Sequence, residues 1–273
     1  MGASTRHTIH TLGLLMALSA AATVACDNSE RSDERDQQVG YRSGTVEDGF
    51  LSNGERGNMP ISEIGWAGSV RVTGGGQRVH DPDDIFIEIQ NKHPRPIYLT
   101  RWQLIVRSGT NRPGENHTLE VRPEYAWSIP ERESGEPVQP NEFVIIARKR
   151  DGAFRDADFF IEDLKLPRDF FQIMIRDIDD RLIEQLGDDE IEIFAGAPFD
   201  GVVTRSMERI QLIFNNRGNR ETSWHTYAFN PWDSDHDSFR QRIHEDYRTY
   251  TFASPGFANT PDYSGNTAAG DFQ

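Results

Sequence analysis

A period-two alternation of apolar residues recurs from Pro60 to Asn259 and limits what this chain can fold into. Ile85, Ile87 and Ile89 alternate with Phe86, Glu88 and Gln90, and Trp102, Leu104 and Val106 alternate with Gln103, Ile105 and Arg107. Phe143 to Ile146 is a short apolar run, Ile173 and Ile175 flank Met174, and Ile191 with Ile193 adds another pair. Side chains of a strand point alternately to opposite faces, so each segment presents one apolar face to a core. Bounded by Gly, Pro, Asn and Asp, these segments predict an all-β fold, an antiparallel β-sandwich. Asp177 to Asp180 has the composition of a hairpin turn between strands at 171–176 and 181–185. Helical spacing is confined to Phe239, Ile243 and Tyr247, after Asp and Ser residues suited to N-capping, which predicts one short helix within a connection.

The chain has 273 residues and a single cysteine, Cys26, so no intramolecular disulfide can form. Its first 25 residues run from Arg6 through an apolar stretch, Leu12 to Leu18, to a small-residue run, Ala20 to Ala25. That order is that of a secretory signal peptide. Cys26 follows at once, and Thr23-Val24-Ala25-Cys26 resembles the bacterial lipobox, with Thr23 where Leu is usual. The resemblance implies cleavage before Cys26 and acylation of its thiol. Several acyl chains, at about 0.8 kcal/mol per buried methylene, anchor a protein stably to a bilayer. The expectation is export and lipid attachment to the cell envelope. Asp27 resembles an inner-membrane retention signal of enteric bacteria, but other lineages sort differently, which leaves inner and outer membrane open.

Residues 26–60 are rich in Asp, Glu, Arg, Ser and Gly and predict a disordered tether, with a reach on the order of 30 Å. Residues 261–273 read as a disordered tail for the same reason. Between them, 61–260 is long enough for one well-buried core. The formal net charge of -15 argues against nucleic acid as a partner, since phosphate backbones are neutralised by clustered Lys and Arg. Arg205, Arg209, Arg217 and Arg220 fall in one region and could form a small basic patch, without an aromatic platform beside it.

Seven strings, in order, resemble the lamin-tail domain family. Ile61-Ser-Glu-Ile64 resembles its opening strand, and Phe86-Ile-Glu-Ile-Gln-Asn91 its aromatic-aliphatic-Glu-aliphatic-x-Asn strand and turn. Leu99-Thr-Arg-Trp-Gln-Leu104 is similar to Leu-x-Gly-Trp-x-Leu, with Arg101 in place of Gly, and Pro140-Asn-Glu-Phe143 to Pro-Gly-Glu-aromatic. Arg205-Ser-Met-Glu-Arg-Ile210 resembles the family's Arg-Ser-Leu-Glu-Arg, and Trp224 with Ser254-Pro-Gly-Phe-Ala-Asn259 its closing segments. The resemblance implies an immunoglobulin-like β-sandwich of an exported or surface protein. Loop insertions set this chain apart: about thirty residues between Trp102 and Pro140 with few strand signals, and a second stretch between Trp224 and Ser254. Trp102 reads as a core anchor, and Asn91, Asn259 and Gly256 as turn residues. Glu88, Glu208 and Arg209 fit either cross-strand pairs or a solvated face.

The sequence holds no Gly-x-Ser-x-Gly elbow, no phosphate-binding loop at Gly74-Gly75-Gly76 and no His-Glu-x-x-His helix. Calcium is the one ion for which a candidate exists, at Asp233, Asp235 and Asp237, although Ser238 and His244 stand where a calcium loop has Gly and Glu. Asp81 to Asp84 and Asp188 to Glu190 read as solvated turns. The expectation is therefore a non-catalytic binding or structural module without a cofactor. It would be held to the bilayer through acylated Cys26 and contact an envelope protein or glycan. Tyr125 and Trp127 in one insertion, and Tyr227, Trp232 and Phe239 in the other, are candidate contact residues. The alternative is a metal-dependent hydrolase or nuclease using His225, His236 and the aspartates of the 225–245 insertion.

Overall fold

The computed structural model describes residues 56–108, 124–168, 171–187, 193–210, 218–228 and 238–261. Cys26 and its leader, Asp233, Asp235 and Asp237, Trp232, His236, Arg217, Ile191, residues 188–190 and 262–273 lie outside the described residues, as does the tether up to residue 55.

The chain is built of strands: β1 (Ile61–Gly65), β2 (Ser69–Val72), β3 (Arg78–Asp81), β4 (Phe86–Gln90), β5 (Gln103–Ser108), β6 (Glu124–Ser128) and β7 (Phe143–Ala147). These are followed by β8 (Phe159–Phe160), β9 (Phe171–Arg176), β10 (Leu182–Leu186), β11 (Thr204–Arg205), β12 (Met207–Arg209), β13 (Trp224–Thr226) and β14 (Thr251–Phe252). A six-stranded sheet has the order β13-β12-β1-β4-β7-β8 and a four-stranded sheet the order β10-β9-β5-β6. Pairing within both is antiparallel except between β7 and β8. The all-β expectation and its antiparallel sheets are thus met.

Both sheets feed one core. Ile61, Ile64, Ile87, Ile89, Val144, Ile146 and Met207 of the larger sheet share it with Leu104, Val106, Phe171, Ile173, Ile175 and Ile183 of the smaller. Trp102 lies fully buried among them, as its position beside β5 predicts. Burying each of these large apolar side chains contributes about 1.5–3 kcal/mol. The hairpin at 177–180 forms as expected: Asp177 N–H donates to Arg181 O, and Asp180 takes φ 61°.

Several expectations are corrected. The stretch after Trp102 contains β6, which pairs with β5 along its whole length, so it holds more strand than its composition suggests. Ile193 packs on the core without joining a strand. Phe239, Ile243 and Tyr247 do not share one helix; a 3-10 turn at Ser238–Arg240 is separated from α1 (Glu245–Arg248), whose N-cap is His244 rather than Asp or Ser. Residues 56–60, assigned to the tether by composition, pack on the fold: Met59 is buried, and Pro60 O accepts from Gln90 N–H.

The larger sheet is buried on its second face too. Phe86, Ile145 and Ala147 from its strands meet Ala153, Phe154, Ile243, Tyr247 and Ala253 in a separate apolar cluster. The covering layer therefore comes from residues 151–157 and 240–256. This explains why every residue of β4 is buried, including Glu88 and Gln90.

Candidate functional site

Beside that apolar cluster, on the same covered face, lies the strongest concentration of chemistry among the described residues. It begins with a bulge. The register of β1 against β4 shifts between Ile61 and Glu63. The extra residue lets Ile61 and Ile64, three apart, both reach the main core while Ser62 and Glu63 turn to the covered face. Glu63 then pairs across the strands with Glu208 on β12 and with Glu88 on β4, and Glu208 pairs with His225 on β13. One row across the sheet thus reads His225, Glu208, Glu63, Glu88. The three glutamates have no solvent exposure, and His225 is 7% exposed.

The chain supplies their hydrogen bonds itself. Ser62 Oγ donates to Glu88 Oε1 at 2.5 Å and Ser206 Oγ to Glu63 Oε1 at 2.5 Å. The rest come from the segment after β14. Ser254 N–H donates to Glu63 Oε1 at 2.8 Å, and Gly256 N–H to Glu88 Oε2 at 2.5 Å. Ser254 Oγ lies 2.6 Å from Glu208 Oε1 and 3.2 Å from Glu63 Oε2. Thr260 contacts Glu208 through both its N–H and its hydroxyl. Asn259 Nδ2 clips the segment to Ser62 O and Arg209 O, each at 2.8 Å. Gly256 takes φ 83°, and a Cβ there would strike the Arg242 side chain, so glycine is required for close approach.

Burial, the Glu208 charge and the Glu88 charge all push the Glu63 carboxyl well above the usual carboxylate range. Burial raises Glu88 to about 8, against the opposing effect of its hydrogen bonds. Glu208 is raised by burial as well, opposed by His225 at 3.7 Å and by Ser254 and Thr260. Burial and the neighbouring charges disfavour ionising all three carboxyls together.

Another buried carboxyl, apart from the glutamate row, corrects the solvated reading of Asp81 to Asp84. Asp84 is fully buried, accepts from Ser69 Oγ and Ala153 N–H, and leaves Oδ1 without a partner. Burial raises it to about 6. Asp81, half-exposed, pairs instead with Lys149.

The other sequence candidates scatter. Arg209 points between the sheets to Glu184 and stacks near Trp224, while Arg205 lies over the Phe252 ring and Arg220 is exposed. Arg209 is therefore no part of a surface basic patch. Tyr125 and Trp127 stack on one another along β6, at 5.9 Å, with Lys165 over Tyr125. Tyr227 is buried, and Phe239 meets the edge of Phe257. His225 is bound into the glutamate row, and among the described residues no three His, Cys, Asp or Glu side chains are placed to hold a metal.

Sequence reasoning weighed Glu88 and Glu208 without choosing between paired and solvated, and passed over Glu63. The signal for Glu63 was present: an Ile-x-x-Ile spacing inside a strand marks a bulge, and hydroxyl residues stand next to or two before the glutamates, at Ser62-Glu63 and Ser206-Met207-Glu208. No protein-family model matches the chain, and no curated protein matches it.

Proposed function

We propose that this chain is an envelope lipoprotein in which a lamin-tail-like, immunoglobulin-type β-sandwich serves as a non-catalytic binding or structural module, held to the bilayer through Cys26. One observation carries the sandwich assignment. The strings that suggest the family are far apart in sequence and meet one another in space. Ser62 and Glu63 of the first string bond Glu88 of the second, Ser206 of the fifth and Ser254 of the last, and Ser254 in turn donates to Glu208 of the fifth. Asn91 closes the second string by donating to Val138 O, beside the fourth. Arg101 and Asn141, which stand where the family pattern has glycine, both adopt left-handed backbone, at φ 66° and 64°. A pattern drawn by chance would have no reason to put non-glycine residues into that conformation at those two places.

The anchor is supported by the order of leader, small residues and Cys26 in the sequence. Expression of the full chain in a bacterial host with an alkyne-tagged fatty acid tests it. The wild-type chain should take up label and sediment with membranes, and Cys26→Ser should lose both. Absence of label on the wild-type chain overturns the lipoprotein reading. For the module, the full chain should co-sediment with isolated cell-wall sacculi or crosslink to one envelope protein, in a manner abolished by shortening 109–123 or 229–237. Envelope binding indifferent to both deletions removes the loops as the contact surface.

A further inference from the structure

The covering segment 254–260 is fastened by a bridge with too few protons unless one carboxyl is neutral. Ser254 Oγ sits between Glu208 Oε1 and Glu63 Oε2, yet a hydroxyl has one proton to donate. If it serves Glu208, at the shorter distance, the contact to Glu63 is a hydrogen bond only when Glu63 carries its own proton and donates it to Ser254. The surrounding donors agree with that division. Glu208 collects the Ser254 hydroxyl, the Thr260 hydroxyl and the Thr260 N–H, with His225 nearby. Glu63 collects only the Ser206 hydroxyl and the Ser254 N–H, both on Oε1.

We propose that Glu63, Ser254 and Glu208 form a proton-operated catch. With Glu63 neutral, the relay Glu63–OH to Ser254–OH to Glu208 carboxylate seats residues 254–260 on the sheet. When the Glu63 proton passes to solvent base, two adjacent carboxylates face each other and the segment lifts.

The charged and titratable groups around the catch come from several elements. His225 on β13 faces Glu208, and Glu88 on β4 faces Glu63 from the other side, with the Arg242 guanidinium acting on Glu88. Tyr227, pushed up by burial, stays a neutral phenol. Arg240 is engaged on Thr251 O and over the Phe252 ring, Arg205 on Tyr227 O, and Arg242 on Asp158 and Asp156 O. The sign follows from the raised carboxyls. An acid held above its ordinary value in the seated form favours that form fully below the ordinary value, near 4.5. The advantage shrinks as pH rises and is exhausted above the seated-form value, which for Glu88 is about 8.

Amide hydrogen exchange of the full chain over pH about 5 to 9, corrected for intrinsic base catalysis, reads the catch directly. Opening at 256–260 should rise about tenfold per pH unit through the neutral range in the wild type. The rise should be markedly shallower in Glu63→Gln, whose amide donates to Ser254 at every pH and which leaves the raised Glu88 to titrate, and opening should be high throughout in Ser254→Ala. A flat wild-type profile, or the same rise in Glu63→Gln, overturns the catch. Should Glu63→Gln fail to fold, carbon-13 titration of the glutamate carboxyls in the wild type decides: Glu63 titrating well above its ordinary value sustains the proposal, and titration at or near that value sinks it.

Discussion

Arg209 reaches from the six-stranded sheet to Glu184 in the four-stranded sheet, Nη1 to Oε1 at 2.9 Å, so a buried ion pair bridges the two sheets. The same Nη1 donates to Ile61 O, the first residue of β1. Burial still lifts the Glu184 carboxyl above its usual range, against the pull of the guanidinium. Removing one partner strands the other in a dry place. Arg209→Met should cost about 3–5 kcal/mol in urea unfolding, and Arg209→Met with Glu184→Met much less. A single substitution with no measurable cost would show that the pair contributes nothing to holding the sheets together.

Asp84 gives a pH dependence with a defined window. Its folded value, about 6, lies above the ordinary 3.8, so its contribution is complete below about pH 4, declines as pH rises, and is lost above about pH 6. The span corresponds to about 3 kcal/mol. The difference in unfolding free energy between wild type and Asp84→Asn should shift by that order from pH 4 to pH 7, in favour of Asn at the higher pH. Parallel stability curves for the two proteins would contradict it.

Arg101 is exposed and left-handed, with its N–H donating to Ile129 O. A side chain in that region costs about 1–2 kcal/mol, and glycine returns part of this through the entropy of the unfolded chain. Arg101→Gly should therefore stabilise by about 0.5–1 kcal/mol, and Arg101→Val should destabilise. Thermal melts of the two variants check the order; a lower melting point for Gly than for Arg would refute it.

Asn91 is buried, donates through Nδ2 to Arg95 O and Val138 O, and accepts from His93 N–H through Oδ1. Asn91→Ala should cost about 2–3 kcal/mol by leaving buried groups unpaired. Asn91→Asp keeps the acceptor but faces two carbonyls with no donor, and it should recover little of that loss at neutral pH. Urea midpoints of both variants give the comparison.

Much of the fold was legible in the sequence because the core obeys the period-two rule. β4, β5, β7 and β9 all coincide with alternating or continuously apolar segments, and β1 with the first of the seven strings. What escaped was set by long-range cover. Glu88 on an alternating strand fits either a cross-strand pair or a solvated face, and only distant cover, from 151–157 and 240–260, turns that face into an interior. Arg209 occupies a core-facing register position that a charged residue would ordinarily avoid, and its partner lies 25 residues away in the other sheet. β6 carries the weak pattern Glu-Tyr-Ala-Trp-Ser, and pairing with β5 decides its conformation. The single-helix expectation failed because Phe239 lies in the 3-10 turn, Tyr247 in α1, and Ile243 between the two, its N–H donating back to Arg240 O. The calcium candidate and Cys26 lie outside the described residues.

The place of β1 in the larger sheet has a consequence for how the chain matures. β1 is the first of the described strands in sequence, yet one of its neighbours, β12, begins at Met207, and the glutamate it carries is capped by Ser206 and by the segment 254–260. A chain emerging from its N-terminus, whether from a ribosome or through a membrane, holds an open strand edge and unshielded acids until residues 207–260 have followed. Closure of this face therefore waits on residues 254–260, and a chain cut before Ser254 would lack the part that seals the sheet.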